Sequence, residues 1–198
     1  MHGDGPLLIL AGAGSGKTRV ITMRTAYLIN SGVSAYSILA VTFTNKAARE
    51  MRERVSKMIK KGNGNPLIST FHSLCLRVLR REIEALGYRK DFTIYDTSEQ
   101  VSLMRSIMMD IKFYDRSFKP ESVLERISMT KNEFAPESDD ENEDPVEEAS
   151  SLLYPRYLEA LKSMNALDFD DLLVLITVFR FDFLPEHPGE DLPFPLLR

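Results

Sequence analysis

The sequence of 198 residues contains a single cysteine, Cys75, which excludes an internal disulfide. A lone cysteine is typical of a reducing compartment, and its neighbours Leu74 and Leu76 predict a buried, unreactive thiol. No apolar run reaches the roughly 20 residues of a membrane-spanning helix. The N-terminus lacks the basic start and apolar stretch of a secretion signal. We therefore expect an intracellular protein, cytoplasmic or nuclear, with no membrane partner.

The net charge of −4 conceals an uneven distribution. Residues 1–90 carry a net charge of +10, whereas the remaining residues carry −14. Nine acidic residues and no lysine or arginine lie between Asn132 and Glu148. The basic half is suited to bind a polyanion, although charge alone favours the simpler explanation that its cations solvate helix faces.

A glycine-rich segment, residues 11–18, is the most informative motif. It follows the apolar residues 7–10, which we predict to be a buried strand, and precedes a helix predicted over residues 17–30. In this context backbone N–H groups and the helix dipole hold phosphates, Lys17 neutralises their charge, and Thr18 offers a hydroxyl to Mg²⁺. Alanine replaces the first glycine of the usual pattern. The predicted nucleotide-binding residues are Ala11, Gly12, Ala13, Gly14, Ser15, Gly16, Lys17, Thr18 and Arg19.

Two further strand and helix pairs follow this loop. Residues 38–41 and 67–70 have the composition of short buried strands, and each is followed by apolar residues at helical spacing. The strand and helix alternation predicts an α/β domain with a mostly parallel sheet. The predicted buried faces of the first two helices comprise Val20, Met23, Tyr27 and Leu28, and then Ala47, Met51, Val55 and Met58.

The ends of these two strands carry hydroxyl and aromatic side chains. Ligands bind beyond the carboxyl ends of parallel strands, where hydroxyls hold phosphates and an exposed ring stacks on a base. Taken singly, Phe43 and Phe71 are more often core residues than base platforms. His72 is likewise more often a structural imidazole than a catalytic one. Both alternatives remain open at this point.

Three segments in this order and spacing resemble the first motifs of the superfamily 1 UvrD/Rep/PcrA-type ATP-dependent DNA helicases. They are AGAGSGKT at residues 11–18, VTFTNKAA at residues 41–48 and STFHS at residues 69–73. The resemblance continues through residues 91–96 and 166–173. It implies a RecA-like P-loop NTPase domain with a parallel sheet, interrupted by a mainly helical insertion domain. It also implies an ATP- and Mg²⁺-dependent motor that translocates 3′ to 5′ on single-stranded DNA and unwinds duplex DNA in repair or replication.

The resemblance assigns roles by position. Lys17 and Thr18 become the catalytic residues, and Thr18 becomes the metal ligand. The implied single-stranded DNA-binding residues are Thr42, Phe43, Thr44, Asn45, Lys46, Thr70, Phe71 and His72.

The resemblance also implies a domain organisation. Residues 1–86 form the first segment of the motor domain, and residues 87–165 form the helical insertion with an acidic loop at 133–148. Within that insertion, Asp96 and Glu99 have the spacing of a capping box. Residues 166–180 return to the motor domain. Residues 181–198, with four prolines, are expected to be an irregular tail.

The sequence departs from the helicase pattern after residue 173. No apolar strand ending in Asp-Glu follows, and the second motor domain expected from the resemblance is absent from these 198 residues. Phosphoryl transfer needs a positioned metal, water and cations. The alternatives are therefore a nucleotide- and DNA-binding module without motor activity, and a small-molecule kinase on the same loop.

Three carboxylates near the end of the matched region also offer two interpretations. Asp168, Asp170 and Asp171 are a candidate metal-binding cluster. The spacing of Asp168 and Asp171 before an apolar run favours a helix start instead.

Overall fold

The computed structural model describes residues 5–12, 14–111, 118–132 and 145–183, with side chains as far as residue 178. The described residues divide into two compact units, one up to residue 73 and one from residue 74 to residue 183. The helices described are α1 (Lys17–Asn30), α2 (Asn45–Met58), α3 (Phe71–Glu82), α4 (Thr97–Asp110), α5 (Pro120–Asn132), α6 (Pro145–Ser163) and α7 (Asp171–Phe183). The strands described are β1 (Leu39–Thr42), β2 (Leu67–Thr70), β3 (Thr93–Ile94) and β4 (Ala166–Leu167). Over these residues no helix is both long and apolar enough to cross a membrane.

The first unit contains a parallel pair of strands packed against two helices. Strands β1 and β2 pair in register, from Leu39 opposite Leu67 to Thr42 opposite Thr70. Apolar side chains from α1, α2, both strands and the segment before β1 form the core of this unit, namely Ile29, Ala35, Ile38, Ala40, Ala48, Met51, Val55 and Ile68. The predicted mixed α/β architecture with parallel strands is confirmed.

The predicted buried strand before the glycine-rich loop is wrong. Residues 7–10 form no strand, and their side chains are 48–87% exposed. A strand requires a neighbour that accepts and donates its backbone hydrogen bonds. Among the described residues, the sheet of this unit consists of β1 and β2 alone, and residues 7–10 pair with neither.

Helix α1 has the predicted extent but buries a different face. The apolar Val20, Met23 and Tyr27 are exposed, while Thr22 and Thr25 are buried beside Ala26 and Ile29. The Thr22 hydroxyl donates to the Thr18 carbonyl at 2.7 Å, and the Thr25 hydroxyl donates to the Ile21 carbonyl at 2.9 Å. These bonds satisfy the hydroxyls and allow their burial. In α2, Met51 and Val55 are buried as predicted, but Met58 is exposed.

The second unit is mainly helical. Helices α4, α5 and α6 share a core that includes Met104, Val123, Ile127, Leu153 and Tyr157. The capping box of α4 is confirmed, because the Asp96 side chain accepts from the Glu99 N–H while the Glu99 carboxylate accepts from the Asp96 N–H.

A second core of this unit surrounds a short parallel strand pair. Thr93 lies opposite Ala166 and Ile94 opposite Leu167. Cys75 is buried in this core beside Leu79, Phe92 and Leu172, as predicted. Burial raises the pKa of the Cys75 thiol and disfavours the reactive thiolate.

Asn165 fixes the entry to β4. It is the one non-glycine residue with a positive φ, 52°, in the described part of the chain. Its side-chain oxygen accepts from the Arg89 N–H at 2.8 Å, and its amide donates to the Asp91 carboxylate at 3.0 Å. Asparagine tolerates this conformation better than most residues, and these two bonds hold it there.

Two predicted segment boundaries are wrong. Residues 145–148 of the expected acidic loop begin α6, where Pro145 suits the first helical position and Glu147 suits the helix dipole. Glu147 also pairs with Arg126 at 2.6 Å. Residues 181–183 of the expected tail belong to α7. The remainder of the predicted loop, 133–144, and of the tail, 184–198, lies outside the described residues.

Candidate functional site

The glycine-rich loop depends on two left-handed glycines. Gly14 has a φ of 74° and Gly16, the N-cap of α1, has a φ of 87°, a region that side chains with a Cβ rarely adopt. The Ser15 hydroxyl donates to the Gly12 carbonyl at 2.7 Å and tightens the turn. Ala13 lies outside the described residues. The other predicted nucleotide-binding residues are exposed, except for the half-buried Thr18.

The first turn of α1 is suited to an anion. No side chain caps it, and it contains no acidic residue. The N–H groups at such a helix start lack intrahelical acceptors and carry the positive end of the helix dipole. Arg19 adds an exposed cation to the same turn. The local field therefore favours a negatively charged group in front of the loop.

The Lys17 ammonium is held by two backbone carbonyls of the loop. Its Nζ atom donates to the Gly12 carbonyl at 2.7 Å and to the Ala11 carbonyl at 3.1 Å. Both acceptors are neutral, and hydrogen bonds to a charged oxygen are roughly twice as strong. A phosphate oxygen in the loop would therefore compete well for this ammonium.

The residues present fit a magnesium ion that is held mainly by a nucleotide. The Thr18 hydroxyl makes no hydrogen bond to the described residues, so it is available as a ligand. The described ranges contain no group of three or more His, Cys, Asp or Glu side chains placed to hold a metal. Mg²⁺ keeps several waters and takes few protein ligands beside substrate phosphates, which suits a single hydroxyl.

The carboxyl ends of β1 and β2 lie side by side because Thr42 pairs with Thr70. The threonines there shape the two turns. The Thr44 hydroxyl caps α2 by accepting from the Ala47 N–H at 3.1 Å. The buried Thr70 hydroxyl accepts from the Ser73 N–H at 3.2 Å and donates to the Ser73 hydroxyl at 2.8 Å. The Thr42 hydroxyl donates to the Thr44 carbonyl at 3.1 Å.

Two phenylalanines project from these strand ends. Phe43 is 89% exposed and Phe71 is 55% exposed, so the interpretation of both as core residues is wrong. Asn45 and Lys46 are exposed in the first turn of α2, and His72 is half-buried. Exposed ring faces beside a cation are the features that bind single-stranded nucleic acid.

The three carboxylates at residues 168–171 form a helix start in the second unit, as favoured from the sequence. The Asp168 carboxylate accepts from the Asp171 N–H at 2.9 Å, and the Asp171 carboxylate accepts from the Asp168 N–H at 3.0 Å. The cation between them is the ammonium of Lys131, which lies 2.6 Å from Asp168 and 2.7 Å from Asp171. The side chains of Lys131, Asp168 and Asp171 are 1%, 4% and 8% exposed, respectively.

Sequence reasoning missed the partners of these carboxylates. The Tyr157 hydroxyl donates to Asp168 at 3.1 Å, and Ser128 and Asn132 donate to Asp170 at 2.7 and 3.0 Å. Buried carboxylates require a cation or donors, so a partner was to be expected. The sequence did not identify Lys131 as that partner, because Lys131 precedes Asp168 by 37 residues.

Lys131 and Tyr157 make the stability of the second unit sensitive to alkaline pH. Burial lowers the pKa of Lys131, but the Asp171 and Asp168 carboxylates outweigh it and the net pKa is raised. Burial and Asp168 also raise the pKa of Tyr157. A group whose pKa is raised in the folded state stabilises the fold fully at pH values below its unfolded-state pKa, which is about 10.4 for lysine and 10 for tyrosine. This stabilisation is lost as the pH rises from the unfolded-state pKa through the folded-state pKa. We therefore expect the free energy of urea unfolding to fall above pH 10.

A single substitution isolates the contribution of Tyr157 to this alkaline loss of stability. Each titrating group lowers the free energy of unfolding by at most about 1.4 kcal/mol per pH unit. We expect Tyr157→Phe to flatten the alkaline fall, while Lys119→Met, at an exposed lysine just before α5, leaves it unchanged. A parent protein whose unfolding free energy is constant from pH 9 to beyond the lysine range would contradict this account.

Comparison with known proteins identifies relatives of this chain. Residues 1–182 match the family model described as the UvrD/REP helicase N-terminal domain. The chain is 45% identical over 189 residues to the ATP-dependent DNA helicase PcrA of Bacillus subtilis (strain 168), covering 92% of this chain and 25% of that protein. It is 43% identical to the proteins of the same name from Staphylococcus aureus (strain Mu50 / ATCC 700699) and Leuconostoc citreum, with the same coverage.

The matches cover nearly all of this chain but only part of each relative. The chain spans about a quarter of the length of these relatives. The family match nevertheless covers nearly all of the 198 residues, including the glycine-rich loop and both strand ends. The chain therefore belongs to the UvrD/REP helicase N-terminal domain family.

Proposed function

We propose that this chain is the ATP-binding N-terminal part of a DNA helicase that translocates 3′ to 5′ on single-stranded DNA and unwinds duplex DNA. The relatives are named ATP-dependent DNA helicases, and the family match covers residues 1–182. The single observation that carries the proposal is the pairing of Thr42 with Thr70, beyond which Phe43 and Phe71 are both exposed.

The nucleotide is bound at the loop of residues 11–18. Loop N–H groups and the start of α1 surround the phosphates, Lys17 neutralises their charge, and Arg19 adds a further cation. Thr18 supplies its hydroxyl to Mg²⁺, which, when bound with ATP, neutralises charge that develops on the phosphates. The Thr18 hydroxyl, which has no partner among the described residues, and the Lys17 ammonium, whose two acceptors are neutral carbonyls, support these roles.

The single strand is bound at the ends of β1 and β2. Phe43 and Phe71 stack on bases, while Asn45, Lys46 and His72 contact the backbone. Thr42, Thr44 and Thr70 hold the turns that carry these side chains, as their hydrogen bonds indicate. The strand site thus consists of exposed rings on turns stiffened by buried or capping hydroxyls.

We also propose a domain organisation for this part of the motor. Residues 1–86 and 166–180 belong to a RecA-like P-loop domain, and residues 87–165 form a helical insertion. The parallel pairing of β3 with β4 supports a return of the chain near residue 166, because Thr93, near the start of that insertion, lies opposite Ala166, just after its end. The predominance of helices α4, α5 and α6 between these strands agrees with the insertion.

Single-ring substitutions test the strand site. Base stacking on an aromatic ring contributes about 1–3 kcal/mol, so we expect Phe43→Ala and Phe71→Ala each to weaken binding of a labelled single-stranded oligonucleotide about 5- to 150-fold. Fluorescence anisotropy at fixed salt measures the change. Tyr27→Ala, which removes an exposed ring from α1 of the same unit, serves as the matched control.

The outcomes are distinct. A loss at Phe43 and Phe71 with an unchanged Tyr27→Ala variant supports the strand site. Equal affinities for all four proteins would overturn it, and so would no detectable binding by the parent chain at low salt. Nucleotide binding measured in the same samples reports whether the loop remains intact.

A further inference from the structure

We propose that the outer face of α2 and the turn after it bind the sugar-phosphate backbone of the single strand beyond the bases held at Phe43. We call this the α2 basic surface, and it comprises Lys46, Arg49, Lys57, Lys60 and Lys61. The inference rests on the proposed function, because the strand must first be held at the ends of β1 and β2.

The helical cations of the α2 basic surface share one exposed side of the helix. Lys46, Arg49 and Lys57 lie 3 and 8 residues apart, which places them on one side of a helix. The opposite side carries the buried Ala48, Met51 and Val55. All five cations of the surface are exposed. The helix of 14 residues is about 21 Å long, so the surface extends well beyond the strand ends.

The charges on this segment are mostly uncompensated. Residues 45–61 contain seven basic and two acidic residues, for a net charge of +5. Of the two acidic residues, Glu50 pairs with Arg54 at 3.3 Å. The other, Glu53, lies on the same side of the helix as Lys57. Among the described residues, no ion pair involves the five cations of the α2 basic surface.

The basic charges of α2 destabilise this helix when no anion is bound. Its first turn contains Lys46 and no acidic residue, although the helix dipole favours negative charge there. Lys46 and Arg49, three residues apart on this face, also repel each other. A bound polyanion removes both penalties and releases its own counterions, which is the main source of affinity for nucleic-acid backbones. The basic first turn directly follows Phe43 and Thr44, so the surface continues the strand site.

Charge removal at the far end of the surface tests the proposal. We use the triple variant Lys57→Gln, Lys60→Gln and Lys61→Gln, which leaves Lys46 and the strand ends unaltered. The control is Lys90→Gln, Lys119→Gln and Lys162→Gln, which removes three exposed lysines of the second unit and changes the net charge equally. Binding of single-stranded oligonucleotides of about 6 and about 20 nucleotides, on either side of typical site sizes, is measured by anisotropy across a salt series.

For the longer oligonucleotide, we expect the triple variant to reduce the magnitude of the slope of log affinity against log salt concentration by about 2. Each phosphate contact contributes about 0.7 to this slope, and three contacts are removed. The shorter oligonucleotide and the control variant should give the parent slope. Equal slopes for the triple variant and the parent, together with weakened binding by Phe43→Ala, would overturn the α2 basic surface and leave the strand site. A slope change seen with duplex DNA alone would overturn the assignment to the single strand. A parent chain that binds neither oligonucleotide would overturn this inference and the proposed function together.

Discussion

Lys17→Ala is expected to lower the affinity of the chain for ATP about 100-fold. The Lys17 ammonium lies inside the loop with the Gly12 and Ala11 carbonyls as its acceptors. When a phosphate replaces them, the lysine makes charge-assisted hydrogen bonds, each contributing about 1.5–3 kcal/mol. The loss of one or two such bonds amounts to about 3 kcal/mol, which corresponds to roughly two orders of magnitude in affinity.

Titration with a fluorescent ATP analogue in the presence of Mg²⁺ measures this change. Lys119→Ala, which removes an exposed lysine outside both proposed binding sites, provides the control and should retain parent affinity. Comparable affinities for Lys17→Ala and the parent would refute the role of the loop. The same proteins, assayed for ATP turnover with and without single-stranded DNA, report whether the chain alone hydrolyses ATP; a motor predicts turnover that DNA stimulates and Lys17→Ala abolishes.

Lys131→Met is expected to destabilise the second unit by about 3–5 kcal/mol. The substitution leaves Asp168 and Asp171 buried without their cation, and removing one partner of a buried ion pair has this magnitude of cost. Hydrogen bonds from Tyr157 and from backbone N–H groups remain but do not neutralise the charge. Urea unfolding followed by far-UV circular dichroism measures the difference.

Two further variants locate the cause of that destabilisation. Lys119→Met makes the same chemical change at an exposed position and should alter stability by less than about 0.5 kcal/mol. Lys131→Met combined with Asp168→Asn and Asp171→Asn removes the unpaired charges and should recover part of the loss. If Lys131→Met were as stable as Lys119→Met, the buried ion pair would have no structural importance.

Local patterns predicted the helices of this protein well. The extent of α1 and the capping box of α4 follow from helical spacing and from residues that favour helix starts. Strand β2 also has its predicted bounds. These features depend on neighbours a few residues away, so the sequence contains the necessary information.

The errors arose where distant parts of the chain decide the outcome. Apolar spacing on α1 predicted a buried Val20 and Met23, but the packed face carries Thr22 and Thr25, whose hydroxyls are satisfied within the helix. The strand predicted at residues 7–10 has no described strand to pair with. Periodicity identifies which residues share a face but not which neighbour that face meets.

The candidate site was predicted in part. Its residues come from short motifs, and the register of β1 with β2 brings the two strand ends together as parallel topology requires. The exposure of Phe43 did not follow from its residue type, because aromatic side chains are usually buried. Lys131 was beyond sequence reasoning, since its partners lie 37 and 40 residues away.

The exposed apolar residues 7–10 have a consequence for handling the chain in solution. Four consecutive large aliphatic side chains that pair with no strand among the described residues offer a template for another copy to add a strand. Such segments promote aggregation unless charge or proline interrupts them, and in this sequence only Pro6 borders the run. Solubility of the purified chain will therefore depend on its concentration, and a charged residue introduced at Leu8 should improve the yield of monomer.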